Sequence, residues 1–350
     1  MHYQCKFDGN MRTLTYIMFI ACFLSNYTYH AQYTRRNLTS RRCGFSLVSP
    51  NLRIVGGGEA VPHSWPWMLS LDTTGANALR RKGHSCGAVL ISAGWALTAA
   101  HCLDDPRQPN RFPVTAPTTW RVTAGMHERG IESSDRRWWQ VSGVRRFFAH
   151  YGFVDLIRSA KNDIALLQLS HPFILTPYIQ PICLPEGRVT QAGWRNCFTA
   201  GWGTLAYGSR QYSLTLHEVE VPIVTYQTCR ARFGNSVNSF LHLCAGDWNR
   251  GQRDSCKGDS GGPLACQRED FSWYLAGIVS WGHRCGLRNT PGVYTSVVHY
   301  EDWISAYIRY FEPESVEMYQ RRLSRTRSKR ETNGQTPFAV RLFPMQRKPT

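Results

Sequence analysis

The stretch that most constrains this chain is Asp254-Ser255-Cys256-Lys257-Gly258-Asp259-Ser260-Gly261-Gly262-Pro263. Three glycines around one serine call for a tight turn, because glycine reaches backbone conformations that other residues resist. A hydroxyl carried on such a turn is presented as a nucleophile. The small neighbours also let the N–H groups of Gly258 and Ser260 point into one space, where two donors can hold the oxyanion of a tetrahedral intermediate. A serine among glycines is most often only a turn. The ten-residue string is far more specific, and its weight grows if a base and an orienting acid exist elsewhere.

Both exist. Serine needs a base, and the base needs a third group to hold its tautomer. Thr98-Ala99-Ala100-His101-Cys102 supplies a histidine, and Asn162-Asp163-Ile164-Ala165-Leu166-Leu167 supplies an aspartate entering an apolar run. Taken singly, His101 reads as structural and Asp163 as a turn or cap. Together with Ser260 they form a Ser-His-Asp set in the chain order His, Asp, Ser used by chymotrypsin.

Residues 54 to 310 thus resemble a trypsin-like serine protease of the chymotrypsin family. The resemblance implies an all-β fold of two antiparallel six-stranded barrels, with the active site in the cleft between them and a C-terminal α-helix. It implies a Ser260 nucleophile, a His101 base, an Asp163 orienter and an oxyanion hole from Gly258 and Ser260. Arg53-Ile54-Val55-Gly56-Gly57 resembles the family's activation site. Cleavage after Arg53 would free the Ile54 ammonium to pair with Asp259, and a buried charge needs such a partner. Ser70 and His84 match positions that hold this aspartate before cleavage.

The family reads substrate choice six residues before the nucleophile, which is Asp254 here. A buried carboxylate there selects Arg or Lys, since any other side chain leaves it unpaired. Ser255 matches relatives that accept both. Gly282 and Gly292 match open pocket walls, and Ser280-Trp281-Gly282 resembles the segment that pairs with the substrate backbone as an added strand. Two residues depart from the common pattern. Arg284 stands where many relatives carry Gly, and Lys257 replaces a commoner Gln. Both add positive charge near the entrance. Pro291 resembles the loop version without sodium activation. Met126 replaces a calcium-binding Glu, so no calcium loop is expected, and the reading needs no metal or cofactor.

Spacing alone does not pair the 12 cysteines. The resemblance pairs ten of them: Cys43–Cys183, Cys86–Cys102, Cys197–Cys266, Cys229–Cys244 and Cys256–Cys285. Cys43 would tether the activation peptide, residues 26–53. Cys5 and Cys22 fall in or near a leader, residues 1–25, whose run Leu14–Leu24 suits a signal peptide. An uncleaved signal anchor stays open as the alternative. Zinc is the other reading of many cysteines, but paired ligand motifs are missing. Asn26 and Asn37 head glycosylation sequons. A secreted, extracellular protein is expected.

The net charge is +17, with +6 in residues 1–53, +6 in residues 54–310 and +5 in residues 311–350. The excess sits in the flanks, whereas a nucleic-acid enzyme would concentrate it on its folded domain. Anionic glycans or cell surfaces are better partners for these flanks than nucleic acid, and solvated Arg-rich flanks are the bland reading. Protein or peptide substrates cut after Arg or Lys, and protein protease inhibitors, are the other expected partners. Arg327-Ser328-Lys329-Arg330 in the basic tail resembles a convertase site or is a simple charge run. A non-catalytic binding protein on the same scaffold is the competing class, although no triad or oxyanion residue is lost.

Strands are expected at Ala88–Ile91, Ile164–Leu169, Val219–Val224 and Leu275–Trp281. A terminal helix is expected over Val298–Phe311 with Trp303, Ile304, Tyr307, Ile308 and Phe311 as its apolar stripe. Arg80-Arg81-Lys82 and the prolines at 106, 109, 113 and 117 mark two enlarged loops.

Overall fold

The computed structural model describes residues 43–50, 57–73, 84–104, 119–130, 133–156, 159–185 and 195–311. Outside them lie Arg53, Ile54, Asn26, Asn37, Cys5, Cys22, the run Leu14–Leu24, both enlarged loops and the tail beyond residue 311.

The first half forms strands β1 (Gly58–Glu59), β2 (Met68–Thr73), β3 (Cys86–Ser92), β4 (Trp95–Thr98), β5 (Trp120–Ala124), β6 (Gln140–Ala149), β7 (Val154–Leu156), β8 (Ser159–Lys161) and β9 (Ala165–Leu169). Six of them close into an antiparallel barrel in the order β2-β3-β4-β9-β6-β5. Every residue of β2 and β9 is buried, including the polar Ser70, Asp72, Thr73 and Gln168. Closure leaves no exposed strand edge.

The second half supplies β10 (Arg195–Gly201), β11 (His217–Glu220), β12 (Ile223–Val224), β13 (His242–Ala245), β14 (Pro263–Gln267), β15 (Trp273–Trp281) and β16 (Gly292–Ser296). They join β1 in one sheet, ordered β1-β11-β10-β14-β15-β16-β13-β12. This mostly-β architecture is consistent with the two-barrel fold implied by the sequence: the first barrel closes with six strands, and the second half forms an eight-stranded antiparallel sheet in place of the expected closed six-stranded barrel. Tyr274, Tyr294 and Leu264 fill its core, with the disulfide sulfurs of Cys197 and Cys266 among them.

Three sequence expectations shift. Val219–Val224 is two strands, because Pro222 lacks the N–H that a continuous ladder would use. The strand after Asp163 begins at Ala165, one residue late. Helix α1 (Tyr226–Phe233) was not expected. Its first-turn Thr228 N–H donates to the Thr225 hydroxyl, and Gly234, at φ 60°, ends it.

The terminal segment, taken by itself, is a 3₁₀ turn over Val297–Tyr300 followed by helix α2 (Glu301–Phe311). Trp303, Tyr307 and Phe311 meet one another at i, i+4 spacing along it, and Ile304 is fully buried.

All five disulfides expected from the resemblance are present: Cys43–Cys183, Cys86–Cys102, Cys197–Cys266, Cys229–Cys244 and Cys256–Cys285. A bond of this kind typically contributes ~2–4 kcal/mol. Among the described residues no helix is long and apolar enough to cross a membrane.

Candidate active site

His101 lies in a single 3₁₀ turn, Ala100–Cys102, directly after β4. Its backbone N–H donates to Asp163 Oδ1 at 2.9 Å, and its Nδ1 meets Asp163 Oδ2 at 2.8 Å. Two contacts to one carboxylate fix the ring's position and assign the proton on Nδ1, leaving Nε2 as the basic nitrogen. Asp163 is buried. It is delivered by Asn162, whose φ of 51° turns the chain just before β9 and whose side chain donates to Gly152 O at 2.6 Å. Asparagine tolerates this left-handed conformation better than most residues.

Two further residues hold Asp163. Ser280 Oγ donates to its Oδ2, and Thr295 Oγ1 donates to its carbonyl at 2.8 Å. Ser280 can reach because β15 slips by one residue against β16 between Val279 and Trp281. That bulge re-aims the extra side chain. Burial pushes the Asp163 carboxyl up, but His101 and the hydroxyl and amide donors outweigh it, so its pKa is lowered. Burial likewise works against a charged His101. The Asp163 carboxylate outweighs it, and the imidazole pKa is raised.

Ser260 is docked against the first barrel through its backbone. Gly87 N–H in β3 donates to Ser260 O at 2.8 Å. A Cβ on Gly261 would collide with Thr98 Oγ1, Gly87 O and the Ala99 amide, two residues before His101. Glycine is therefore required for close approach, not only for the turn. Among the described residues no hydrogen bond joins Ser260 Oγ to His101, and such contacts often tighten only when substrate is bound.

The peptide before Gly258 has a defined orientation. Lys257 C=O accepts from Thr204 N–H at 2.8 Å. In a trans peptide the Gly258 N–H must then point the opposite way. Neither the Gly258 nor the Ser260 N–H donates to another described residue. On the far side, His84 Nε2 donates to Gly258 O at 3.0 Å, while His84 Nδ1 accepts from Ser70 Oγ at 2.7 Å.

Ser70 and His84 match positions expected to hold Asp259 before cleavage, and in this structure they reach Gly258 O instead, Ser70 through His84. Asp259 faces the other way. Its Oδ1 accepts from Gly203 N–H and its Oδ2 from Cys256 N–H, both at 2.8 Å. A Cβ on Gly201 or Gly203 would strike its carboxylate. Burial pushes the Asp259 pKa up to about 6, against those two amides. Beside it lies a cavity of about 670 Å³ lined by Gly57, Gly201, Gly203 and Asp259.

A second cavity of about 430 Å³ joins Ser260 to Asp254, Ser255, Trp281, Gly282 and Gly292. Every predicted substrate residue except Ser280 lines it. Asp254 Oδ2 accepts a 3.3 Å bond from Gly286 N–H. Its buried Oδ1 has no partner, and a Cβ on Gly292 would fall on that atom. Burial pushes the carboxyl up to about 8. Ser255 Oγ accepts from Tyr294 OH at 3.2 Å.

Comparison with known proteins agrees with this geometry. The family model described as Trypsin matches residues 54–304. The chain belongs to the trypsin family. Among curated proteins it is 39% identical over 260 residues to human Transmembrane protease serine 7, covering 73% of this chain and 28% of that protein. The rat protein of the same name is 40% identical over 270 residues, covering 76% of this chain and 29% of the relative. The chain thus spans about three tenths of the length of these relatives.

Sequence reasoning missed several supports of the site. Thr295 sits in an unremarkable strand, and Tyr294 reads only as core. Ser280 was assigned to backbone pairing, not to Asp163. Motif order carried no signal for any of the three, because each acts through a contact between distant segments.

Proposed function

We propose that this chain is an extracellular serine endopeptidase, made as a zymogen, that cleaves peptide bonds after Arg or Lys. The observation that carries the specificity is the unpartnered Asp254 oxygen in the cavity that Ser260 also lines. A guanidinium or ammonium entering there would meet a buried carboxylate with open lone pairs. An apolar side chain would leave it unpaired, at a cost of ~1–3 kcal/mol or more.

The reaction is acyl transfer. Ser260 Oγ attacks the scissile carbonyl carbon as its proton passes to His101 Nε2, and Asp163 stabilises the resulting imidazolium. The oxyanion takes hydrogen bonds from the Gly258 and Ser260 N–H groups. The C–N bond breaks as His101 returns the proton to the leaving amine. Water, deprotonated by His101, then attacks the ester and releases Ser260. Losing one oxyanion donor in such sites costs roughly 100- to 1000-fold in turnover.

Activation follows cleavage after Arg53. Asp259 beside a cavity whose lining begins at Gly57 supports this reading. Ile54 is three residues from Gly57, a reach of about 10 Å in an extended chain. A terminal ammonium arriving there would neutralise the Asp259 carboxylate. Cys43–Cys183 would keep the two chains joined. Five disulfides favour an oxidising compartment. Membrane tethering through residues 1–25 is the second reading, favoured by relatives named as transmembrane proteases. Recovery of residues 1–25 in the mature protein would establish it.

The test is the Arg53→Gln precursor treated with trypsin, beside wild type. Wild type should gain amidolysis of an Arg-amide, label with a serine-directed fluorophosphonate, and separate into two chains only under reductant. Arg53→Gln should stay almost inactive. A fully active uncut precursor would overturn the zymogen reading. A correctly cut chain that takes no fluorophosphonate would leave the non-catalytic binder in its place.

A further inference from the structure

The cavity beside Ser260 is electrostatically divided. Its base carries Asp254, and its lining includes three exposed cations, Arg210, Lys257 and Arg284. Arg284 is held in place. Its guanidinium carbon lies 5.7 Å from the centre of the Tyr207 ring, so the segment after Trp281 meets the loop after Trp202. Arg284 also has φ 63°, a left-handed conformation that glycine adopts freely and a long side chain does not. A strained residue kept at a functional cavity points to a role for its side chain. Solvated surface charge does not account for the strain, the ring contact or the clustering of three cations at one opening.

We propose that Arg284, braced by Tyr207, together with Lys257 and Arg210 forms a cationic collar that selects peptides bearing an acidic residue one to three positions before the cleaved Arg or Lys. This rests on the cleavage specificity proposed above. A peptide bringing only positive charge must pass three like charges before it reaches Asp254. A peptide with Asp or Glu before the cleaved residue presents an opposite charge to the collar while its basic side chain enters the pocket. Gly282 belongs to the backbone-pairing segment, and Arg284 follows it by two residues. The collar therefore lies beside the substrate residues preceding the cleaved one. Lys257 adjoins Gly258 and stands close to the scissile bond. Exposed charges like these act within about 8 Å at physiological salt and contribute modestly each, so the effect is a preference rather than a requirement.

The experiment uses the full chain activated by cleavage after Arg53. Fluorogenic peptides cleaved after Arg carry Glu, Ala or Lys at the second and third positions before the bond. Values of kcat/KM are measured at about 20 mM and about 500 mM salt, a range over which screening becomes nearly complete. Wild type should prefer Glu over Ala by about tenfold at low salt and disfavour Lys by a similar factor. Both effects should shrink toward unity at high salt. Arg284→Gly with Lys257→Gln should cut the preference to a small remainder owed to Arg210, and adding Arg210→Gln should abolish it at every salt concentration. Glycine suits the φ at 284, so this variant relieves strain. Tyr207→Ala should lose part of the preference, because the Arg284 side chain is released. Equal rates with Glu and Ala in wild type, or a Glu preference that survives undiminished in the double variant, would overturn the collar. Failure of the cleavage specificity itself looks different. The Ala-flanked Arg peptide would not be cut while Ser260 still took up fluorophosphonate, and that result overturns the collar as well.

Discussion

Asp163 and Asp254 are two desolvated carboxylates of one site, and they shift in opposite directions. Asp163 takes donors from His101 and Ser280 and is held ionised. Asp254 takes one long bond from Gly286, keeps an oxygen without a partner, and is pushed up to about 8. Burial is common to both, so burial does not decide the outcome. The partners do: the charge of His101 with its hydroxyl and amide donors outweighs burial at Asp163, and the backbone amides at Asp254 do not. Asp163 already has its partners in His101 and Ser280, as its proposed role in orienting a base requires. Asp254 keeps an oxygen without a partner, as its proposed role in recognising a cationic side chain requires.

The largest break in this comparison is Asp163→Asn. It should lower kcat by about ten-thousand-fold, since the amide can hold the wrong tautomer of His101 without disturbing the fold. Steady-state amidolysis alongside thermal unfolding checks both halves. A loss below about tenfold would mean that Asp163 does not orient the base.

Asp254→Ser comes next. Removing the countercharge should cut kcat/KM for an Arg-amide by about 100- to 1000-fold and leave a Phe-amide almost unchanged. The ratio of the two specificity constants is the readout. An unchanged ratio would remove Asp254 from substrate selection.

The pH dependence sharpens the contrast. With its pKa near 8, Asp254 is largely protonated at pH 6 and ionised above pH 8. Affinity for an arginine-like cation such as benzamidine should therefore rise with pH, by up to about tenfold per unit, and level off above about pH 8. Calorimetry at pH 6, 7 and 8 should also detect proton release on binding. Asp163, lowered rather than raised, contributes no such slope in this window. A flat affinity would mean that Asp254 is ionised before the cation enters.

Thr295→Val should have the smallest effect. It removes the 2.8 Å bond to the Asp163 carbonyl but keeps the side-chain volume. A stability loss of ~1 kcal/mol is expected, with at most a few-fold loss of kcat. A loss near that of Asp163→Asn would make Thr295 part of the orienting machinery.

Much of the site was legible in the chain because turn chemistry is local. The glycines around Ser260, the histidine beside Cys102 and the aspartate before an apolar run each keep their meaning without neighbours. Strands in the buried barrel were legible for the same reason: β9 is apolar at four of its five positions, with Gln168 the exception. Helix α1 was not, because its evidence is one capping threonine and one glycine with no apolar stripe between them. The β11–β12 break at Pro222 was readable and passed over.

By itself, the sequence determined which chemistry is present and in what order, since residue type and backbone freedom belong to each residue alone. Only the tertiary structure decided what each group touches. It turned His84 onto Gly258 rather than Asp259 and set Thr295 beneath Asp163, 132 residues away. It also laid Arg284 over Tyr207. Whether a carboxylate is silent or waiting depends on donors contributed by distant strands, and that sum exists only when the chain has closed around it.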